Sequence, residues 1–107
     1  MIQEIQSQLA ELIAENNKGS NALFEAERAL AEAEYELDTA ESKSFLKAEG
    51  TVADRNALSR LESANARLAR DLRKAELNRI KQKIRSIETA SMVLATQAKL
   101  INSESRL

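Results

Sequence analysis

"KAEGTVADR", residues 47–55, contains the clearest turn signal in this chain of 107 residues. Gly50 suits the left-handed backbone conformation that ends a helix, and Thr51 suits the N-cap of the helix that follows. Asp54, three residues after Thr51, completes a capping box, and its carboxylate also meets the positive end of the new helix dipole. The stretch therefore predicts a turn at residues 50–51 that joins two antiparallel helices.

The composition is typical of long helices and coiled coils. Ala, Leu, Glu, Lys, Arg and Gln dominate, proline is absent, and Gly19 and Gly50 are the only glycines. Aromatic residues make up 3% of the chain, so a monomer would have a thin core, and we expect a homo-oligomer, most simply a dimer. Cysteine and histidine are absent, which removes thiol chemistry and the commonest metal ligand and general base.

The polar stretch "ENNKGSN", residues 15–21, raises the question of whether the first helix is interrupted. Steps of three and four carry an apolar stripe through Asn16 and Gly19 without loss of phase, which favours one helix over about residues 2–49. The stripe consists of Ile2, Ile5, Leu9, Leu12, Leu23, Ala26, Leu30, Ala33, Leu37 and Ala40. A kink or break at Gly19 is the alternative, because glycine costs about 1 kcal/mol relative to alanine in a helix.

The second helix is predicted over about residues 52–102. Its apolar residues, expected to face the first helix, are Leu58, Leu61, Leu68, Leu72, Ala75, Ile80, Ile84, Ile87, Leu94, Ala98 and Ile101. Between Leu72 and Ile80 the pattern advances by four and four, a stutter that would relax left-handed supercoiling locally. The predicted fold is all-α, a long antiparallel coiled-coil-like hairpin in a single domain, residues 1–107. Two such hairpins are expected to pair as a dimeric four-helix bundle.

Charge is divided unequally between the two predicted helices. Residues 1–50 carry 4 basic and 11 acidic side chains, and residues 51–107 carry 12 basic and 6 acidic side chains. In the hairpin, the acidic residues at 25–41 are expected to face the basic residues at 60–74. Each exposed pair would contribute about 0.2–1 kcal/mol, so the charges select antiparallel pairing more than they stabilise it.

A second group of cations would lie opposite the polar stretch, where no acidic side chain faces it. The group is Arg79, Lys81, Lys83 and Arg85, with Lys18 from the first helix. One interpretation is a patch that binds the phosphates of nucleic acid. The other is a solvated face or a set of partners for glutamates of another subunit, since no aromatic residue nearby offers a stacking surface.

Asn16 and Gly19 are candidate register positions. A polar residue in a heptad stripe commonly fixes the register and the oligomeric state, at some cost in stability. Gly19 would allow close approach of the helices. The alternative is that the polar stretch forms hydrogen bonds with a partner.

No arrangement of residues indicates catalysis, a cofactor or a metal. Glutamates recur at heptad spacing, but no Glu-x-x-His pattern accompanies them, and no glycine-rich phosphate loop is present. We therefore do not expect an enzyme. Polar residues near the start, such as Gln3 and Glu4, interrupt any apolar run there, so we expect no signal peptide. No uncharged run is long enough to span a membrane, and a cytoplasmic protein without a membrane partner is expected.

The segment "EYELDTAESKSFLKAEGTVADRNAL", residues 34–58, resembles small all-helical accessory proteins of tailed bacteriophages and prophages. Those proteins similarly have an acidic helix with a tyrosine, an Ala-Glu-Gly-Thr-Val turn and a basic helix. The resemblance implies a phage protein expressed with replication or recombination genes, in the host cytoplasm. Members mostly have no known function, so the resemblance assigns no role to any residue.

These observations favour a non-enzymatic helical module for protein–protein interaction that associates with itself, such as a phage adaptor, with an unidentified protein partner. The alternative is an accessory nucleic-acid-binding protein that uses the basic patch at residues 79–85.

Overall fold

The computed structural model describes residues 1–105, which are almost entirely helical and fold back at the turn within residues 25–78. Helix α1 spans Ile2–Lys47, α2 spans Val52–Glu62 and α3 spans Ala64–Ser105. The described residues contain no strand. The all-α hairpin predicted from the turn is therefore confirmed, while the pairing of two hairpins into a bundle stays a prediction.

The turn has the predicted capping geometry. Gly50 has a φ of 109°, in the left-handed region. The Thr51 hydroxyl accepts a hydrogen bond from the Asp54 N–H (3.1 Å), and the Asp54 carboxylate accepts one from the Thr51 N–H (3.3 Å). The Arg55 guanidinium donates two bonds to the Phe45 carbonyl (3.0 and 3.2 Å), one of the last carbonyls of α1, which lack helical partners. The end of α1 is thus fixed by the start of α2.

Helix α1 passes through the polar stretch without a break, as the phase of its apolar stripe predicts. All ten residues of that stripe are buried or half-buried, and Asn16 and Gly19 are half-buried among them. The Ser20 hydroxyl donates a hydrogen bond to the Asn16 carbonyl (3.2 Å) four residues earlier. The helix ends at Lys47, two residues before the predicted end, which is the usual uncertainty of a helix terminus.

The second helix, predicted to be continuous, is interrupted at Ser63. The Ser63 hydroxyl donates to the Ser59 carbonyl (2.6 Å), and the Ser63 N–H donates to the same carbonyl (3.0 Å). A serine that bonds back to the preceding turn competes with the backbone ladder and commonly bends a helix. The ladder nevertheless resumes at once, because the Arg67 N–H donates to the Ser63 carbonyl (3.0 Å).

The packing divides the chain into two compact units. One unit, residues 25–78, is the hairpin around the turn: the second half of α1, then α2 and the start of α3. The other unit pairs residues 1–24 of α1 with α3 from Arg79 onward. The single domain expected from the sequence stays a prediction.

Within residues 25–78, the predicted inward face of the second arm is wrong. Four leucines expected in the core are exposed, Leu58 by 39%, Leu61 by 73%, Leu68 by 58% and Leu72 by 61%, and Ala75 is exposed as well. Seven residues between Val52 and Asn78 are buried or half-buried instead: Arg55, Ser59, Ser63, Ala66, Arg67, Arg70 and Leu77. Five of them share one heptad phase and form what we call the inner seam: Ser59, Ser63, Ala66, Arg70 and Leu77.

Near the turn the inner seam consists of small residues, Ser59, Ser63 and Ala66, and the facing half of α1 also buries mostly small side chains. That part of α1 buries Ala26, Ala33 and Ser44, with Leu37 as its one large buried side chain. Small side chains on both helices permit a close approach at which hydrogen bonds can form between the helices. Accordingly, the Ser59 hydroxyl reaches the Glu41 carbonyl (2.8 Å), and the Ser44 hydroxyl donates to the Glu62 carboxylate.

The acidic and basic residues that were predicted to face each other across the hairpin form few ion pairs between the arms. Among the described residues, one ion pair joins the two arms, Arg67 with Glu41 (3.0 Å). The other ion pairs are local on their helices: Arg28–Glu32, Arg70–Asp71 and Arg73–Glu76. Long exposed side chains reach neighbours on their own helix more readily than partners on another, and each such pair contributes little.

Candidate functional site

The four exposed leucines of α2 and α3 share one face of the helices, which we call the leucine seam: Leu58, Leu61, Leu68 and Leu72. With Asp54, Asn65 and Ala75, their positions advance by alternating steps of four and three, which is a heptad repeat. All seven residues are exposed. A heptad seam buries its apolar residues only when another helix packs on it, and within residues 25–78 α1 occupies the opposite face.

The interruption at Ser63 does not disturb the leucine seam. The backbone bonds into and out of Ser63 both join residues four apart, at 3.0 Å, as in an α-helix. The helical phase on either side of the interruption is therefore shared, and Leu58 and Leu61 lie in line with Leu68 and Leu72.

The flanks of the leucine seam are small or charged. Ala57, Ala64 and Ala69 lie beside the leucines at positions from which a packed helix would be contacted, and all three are exposed. Alanine at such positions permits close approach of a second backbone. Asp71 and Glu76 also flank the seam, with side chains more than half exposed.

A second feature is an open cavity of about 370 Å³ between α1 and α3, within the unit that contains residues 1–24. Its floor is apolar, formed by Gly19, Ala22, Ile80, Ile84 and Ile87, and its charged lining residues are Glu15, Lys18 and Lys83. A Cβ atom added to Gly19 would lie 3.1 Å from Cγ1 of Ile84. Gly19 thus permits close approach of the two helices, as its position in the stripe predicts.

The cations of the predicted basic patch are only partly brought together. Lys18 and Lys83 line the same cavity. Glu15 lines it as well, so the expectation that no acidic side chain faces these cations is wrong. Along α3, residues four apart share a side of the helix and residues two apart differ by about 200°, so Arg79 lies with Lys83, and Lys81 lies with Arg85 on the other side. All four are exposed, and none takes part in an ion pair among residues 1–104. The patch is therefore two pairs of cations rather than one surface.

The heptad spacing of the leucines in the second arm was recognised from the sequence, but the leucines were predicted to face the first helix, and they are exposed instead. Asn65, in phase within the leucine seam, was not singled out at all, and neither were Ser59 and Ser63 of the inner seam. The stutter between Leu72 and Ile80 was the available signal, because a stripe that loses phase can be two stripes on different faces.

Residues 1–104 contain neither a candidate metal site nor a candidate membrane span. No three histidine, cysteine, aspartate or glutamate side chains in that range are grouped so that they could hold a metal ion. No described helix has both the length and the apolar character needed to cross a bilayer. Comparison of the chain with protein-family models, with curated proteins and with solved structures finds no match.

Proposed function

We propose that this protein is a non-enzymatic helical module for protein–protein interaction and that it associates with itself through the leucine seam. The observation that carries the proposal is the exposure of Leu58, Leu61, Leu68 and Leu72, between 39% and 73%, in one heptad phase. Contiguous exposed apolar surface of this kind is typical of an interaction site. Each leucine that becomes fully buried contributes about 1.5–3 kcal/mol, which favours association.

We do not propose catalysis, because the chain has no histidine or cysteine and the leucine seam is an exposed helix face rather than a concave pocket. A helix face of this shape suits another helix better than it suits a small substrate.

The biological setting we propose is that of a phage accessory or adaptor protein in the cytoplasm of the host. It rests on the resemblance of residues 34–58 to the helical proteins of tailed phages. A module that presents one helix face for self-association keeps its other surfaces, such as the exposed Tyr35 on α1, for a different protein partner.

A second candidate function is the binding of nucleic acid through the basic patch. Lys18 and Lys83 line one cavity, and Arg79 lies on the same side of α3 as Lys83. Three cations without ion-pair partners among residues 1–104 could contact phosphates. The split of the patch into two pairs makes this the weaker candidate.

Sedimentation equilibrium over a range of protein concentrations tests the proposed function. We expect wild type to dimerise and a Leu61→Glu/Leu68→Glu variant to remain monomeric, because buried glutamates would lack partners. Met92→Glu is the matched control, since Met92 is 72% exposed on α3 but lies outside the leucine seam. A wild type that stays monomeric at about 100 µM, well above the micromolar range of modest affinities, would contradict the proposal.

A further inference from the structure

We infer that the leucine seam binds a second copy of itself in the antiparallel direction, with Leu61 against the partner's Leu72 and Asn65 against the partner's Leu68. The inference rests on the proposed function, in which the leucine seam is the interface between two copies of the chain. It adds the direction and register of that pairing, and it follows from the positions of residues 54–76.

The register follows from the spacing of the seam. In an antiparallel pair, the first apolar position of each heptad faces the fourth position of the partner's heptad. Applied to this seam, that rule places Leu61 opposite the partner's Leu72 and Leu58 opposite the partner's Ala75. A two-fold axis repeats each contact, so all four leucines of both copies are covered by one interface.

Asn65 is compatible with this register because it lies next to the two-fold axis. Asn65 faces the partner's Leu68, three positions from the partner's Asn65, which is about 4.5 Å along the helix. The two amide side chains are then close enough to form hydrogen bonds with each other across the axis. A polar residue at one seam position is a common means of fixing register, and here it fixes the centre.

Charge favours the antiparallel direction over the parallel one. A parallel pair would place Asp54 against the partner's Asp54 in the seam and Asp71 beside the partner's Glu76 on the flank, and both contacts repel. The antiparallel pair separates these like charges and places Glu76 nearest the partner's Arg55, whose guanidinium also holds the Phe45 carbonyl of its own chain. A parallel pair would also bring the two Asn65 side chains together. Asn65 alone therefore does not distinguish the parallel from the antiparallel direction, whereas the acidic residues do.

The small flanking residues fit the same arrangement. In the antiparallel register Ala57 and Ala64 lie on one flank and Ala69 on the other, so the backbones of the two copies can approach closely. The side chains that α1 covers, Ser59 and Ser63, stay on the opposite face. The interface therefore forms without rearrangement of the hairpin.

Disulfide cross-linking tests the inference directly, because the chain contains no cysteine. Leu61→Cys and Leu72→Cys are made as separate variants that carry tags of different mass, and each is oxidised alone and in an equimolar mixture. In the inferred register, a cysteine at position 61 lies beside one at the partner's position 72 but about 16 Å along the axis from its own counterpart. Disulfide formation needs Cα atoms within about 7 Å.

We expect the mixture to give the disulfide between positions 61 and 72 at least tenfold faster than either variant alone gives its own dimer. Faster cross-linking of each variant alone would indicate a parallel pair. That result would overturn the inference but leave the proposed function intact, as long as sedimentation still shows a dimer. A wild type that sediments as a monomer would overturn both.

A second pair of variants covers the case in which loss of a leucine dissociates the dimer. Ala64→Cys and Asp71→Cys flank the seam, leave the four leucines unchanged, and lie on the same flank of the inferred pair. A short bis-maleimide should link the mixture at least threefold faster than either variant alone. Equal rates in a sample that sediments as a dimer would place the interface elsewhere and overturn the inference.

Discussion

The Ser59 hydroxyl donates a hydrogen bond of 2.8 Å to the Glu41 carbonyl, across the two arms of the hairpin. Ser59 is 6% exposed, whereas Leu58, its neighbour in the chain, is 39% exposed. The hairpin of residues 25–78 is thus closed by serines and their hydrogen bonds, and its leucines remain available at the surface. The surface that we propose for self-association exists because the interior uses small polar residues.

The inner seam should not tolerate leucine. We expect Ser59→Leu and Ser63→Leu each to lower the free energy of unfolding by about 1–3 kcal/mol, because a large side chain would force the closely packed helices apart. Ser63 is 1% exposed, so it has no space to accommodate the added atoms. Urea unfolding followed by circular dichroism measures the change.

Leu61→Ser is the matched comparison on the outer face. At a concentration low enough to dissociate a dimer, we expect it to change the free energy of unfolding by less than about 0.5 kcal/mol, as surface substitutions usually do. The reverse order, with Leu61→Ser more costly than Ser59→Leu, would mean that the leucines lie inside the hairpin.

The all-α class, the turn and the whole of α1 could be predicted because their signals are local or strongly periodic. The capping box needs only Thr51 and Asp54, and the stripe of α1 keeps its phase over ten apolar residues. The helix was correctly predicted to continue through the polar stretch, because a continuous phase of the apolar stripe outweighs the cost of one glycine at position 19.

The face of the second arm could not be predicted, because α2 and the start of α3 carry two heptad stripes. The leucine seam is the more hydrophobic of the two, but the inner seam runs from Ser59 to Leu77 and continues in phase to Ile80. Hydrophobicity favours burial of the leucines, whereas the hydrogen bonds with Glu41 and Ser44 of α1 favour the face that carries the serines. Only the packing of both helices together determines which stripe lies inside.

The turn should depend on two neighbouring residues, Gly50 and Thr51, which both approach Asp54. Thr51→Ala should lower the free energy of unfolding by about 1 kcal/mol through loss of the N-cap, and Thr51→Ser should preserve stability. Gly50→Ala should cost about 1–2 kcal/mol, because its φ of 109° is strained for alanine. The added Cβ would also lie 3.1 Å from Oδ2 of Asp54. Thermal and urea unfolding measure both changes, and a neutral Gly50→Ala would contradict the role given to this glycine.

Gly19→Ala should raise the free energy of unfolding by up to about 1 kcal/mol, because alanine is the better helix former. The new methyl group would lie 3.1 Å from Cγ1 of Ile84, but Ile84 borders the open cavity and has space to shift. In an Ile84→Ala background, Gly19→Ala should raise the free energy of unfolding by the full difference in helix propensity, since the close contact with Cγ1 of Ile84 is absent. A net loss of stability with Ile84 present, and a gain without it, would show that close approach at Gly19 matters more than helix propensity.

The two pairs of cations on α3 should contribute unequally to any binding of DNA. Lys18→Glu/Lys83→Glu and Lys81→Glu/Arg85→Glu change the net charge by the same amount. We expect the first to weaken binding to duplex DNA at low salt at least threefold more than the second, because Lys18, Lys83 and Arg79 lie together. Fluorescence anisotropy measures the affinities. With about three phosphate contacts, log K should fall against log salt with a slope of about −3.

Equal losses in the two variants would mean that DNA responds to the overall charge of the helix rather than to a site. Absence of wild-type binding even at low salt would remove nucleic acid as a partner of this surface. In that case the unpaired cations would serve solubility or contacts with acidic proteins, which fits an interaction module whose two predicted arms carry opposite net charge.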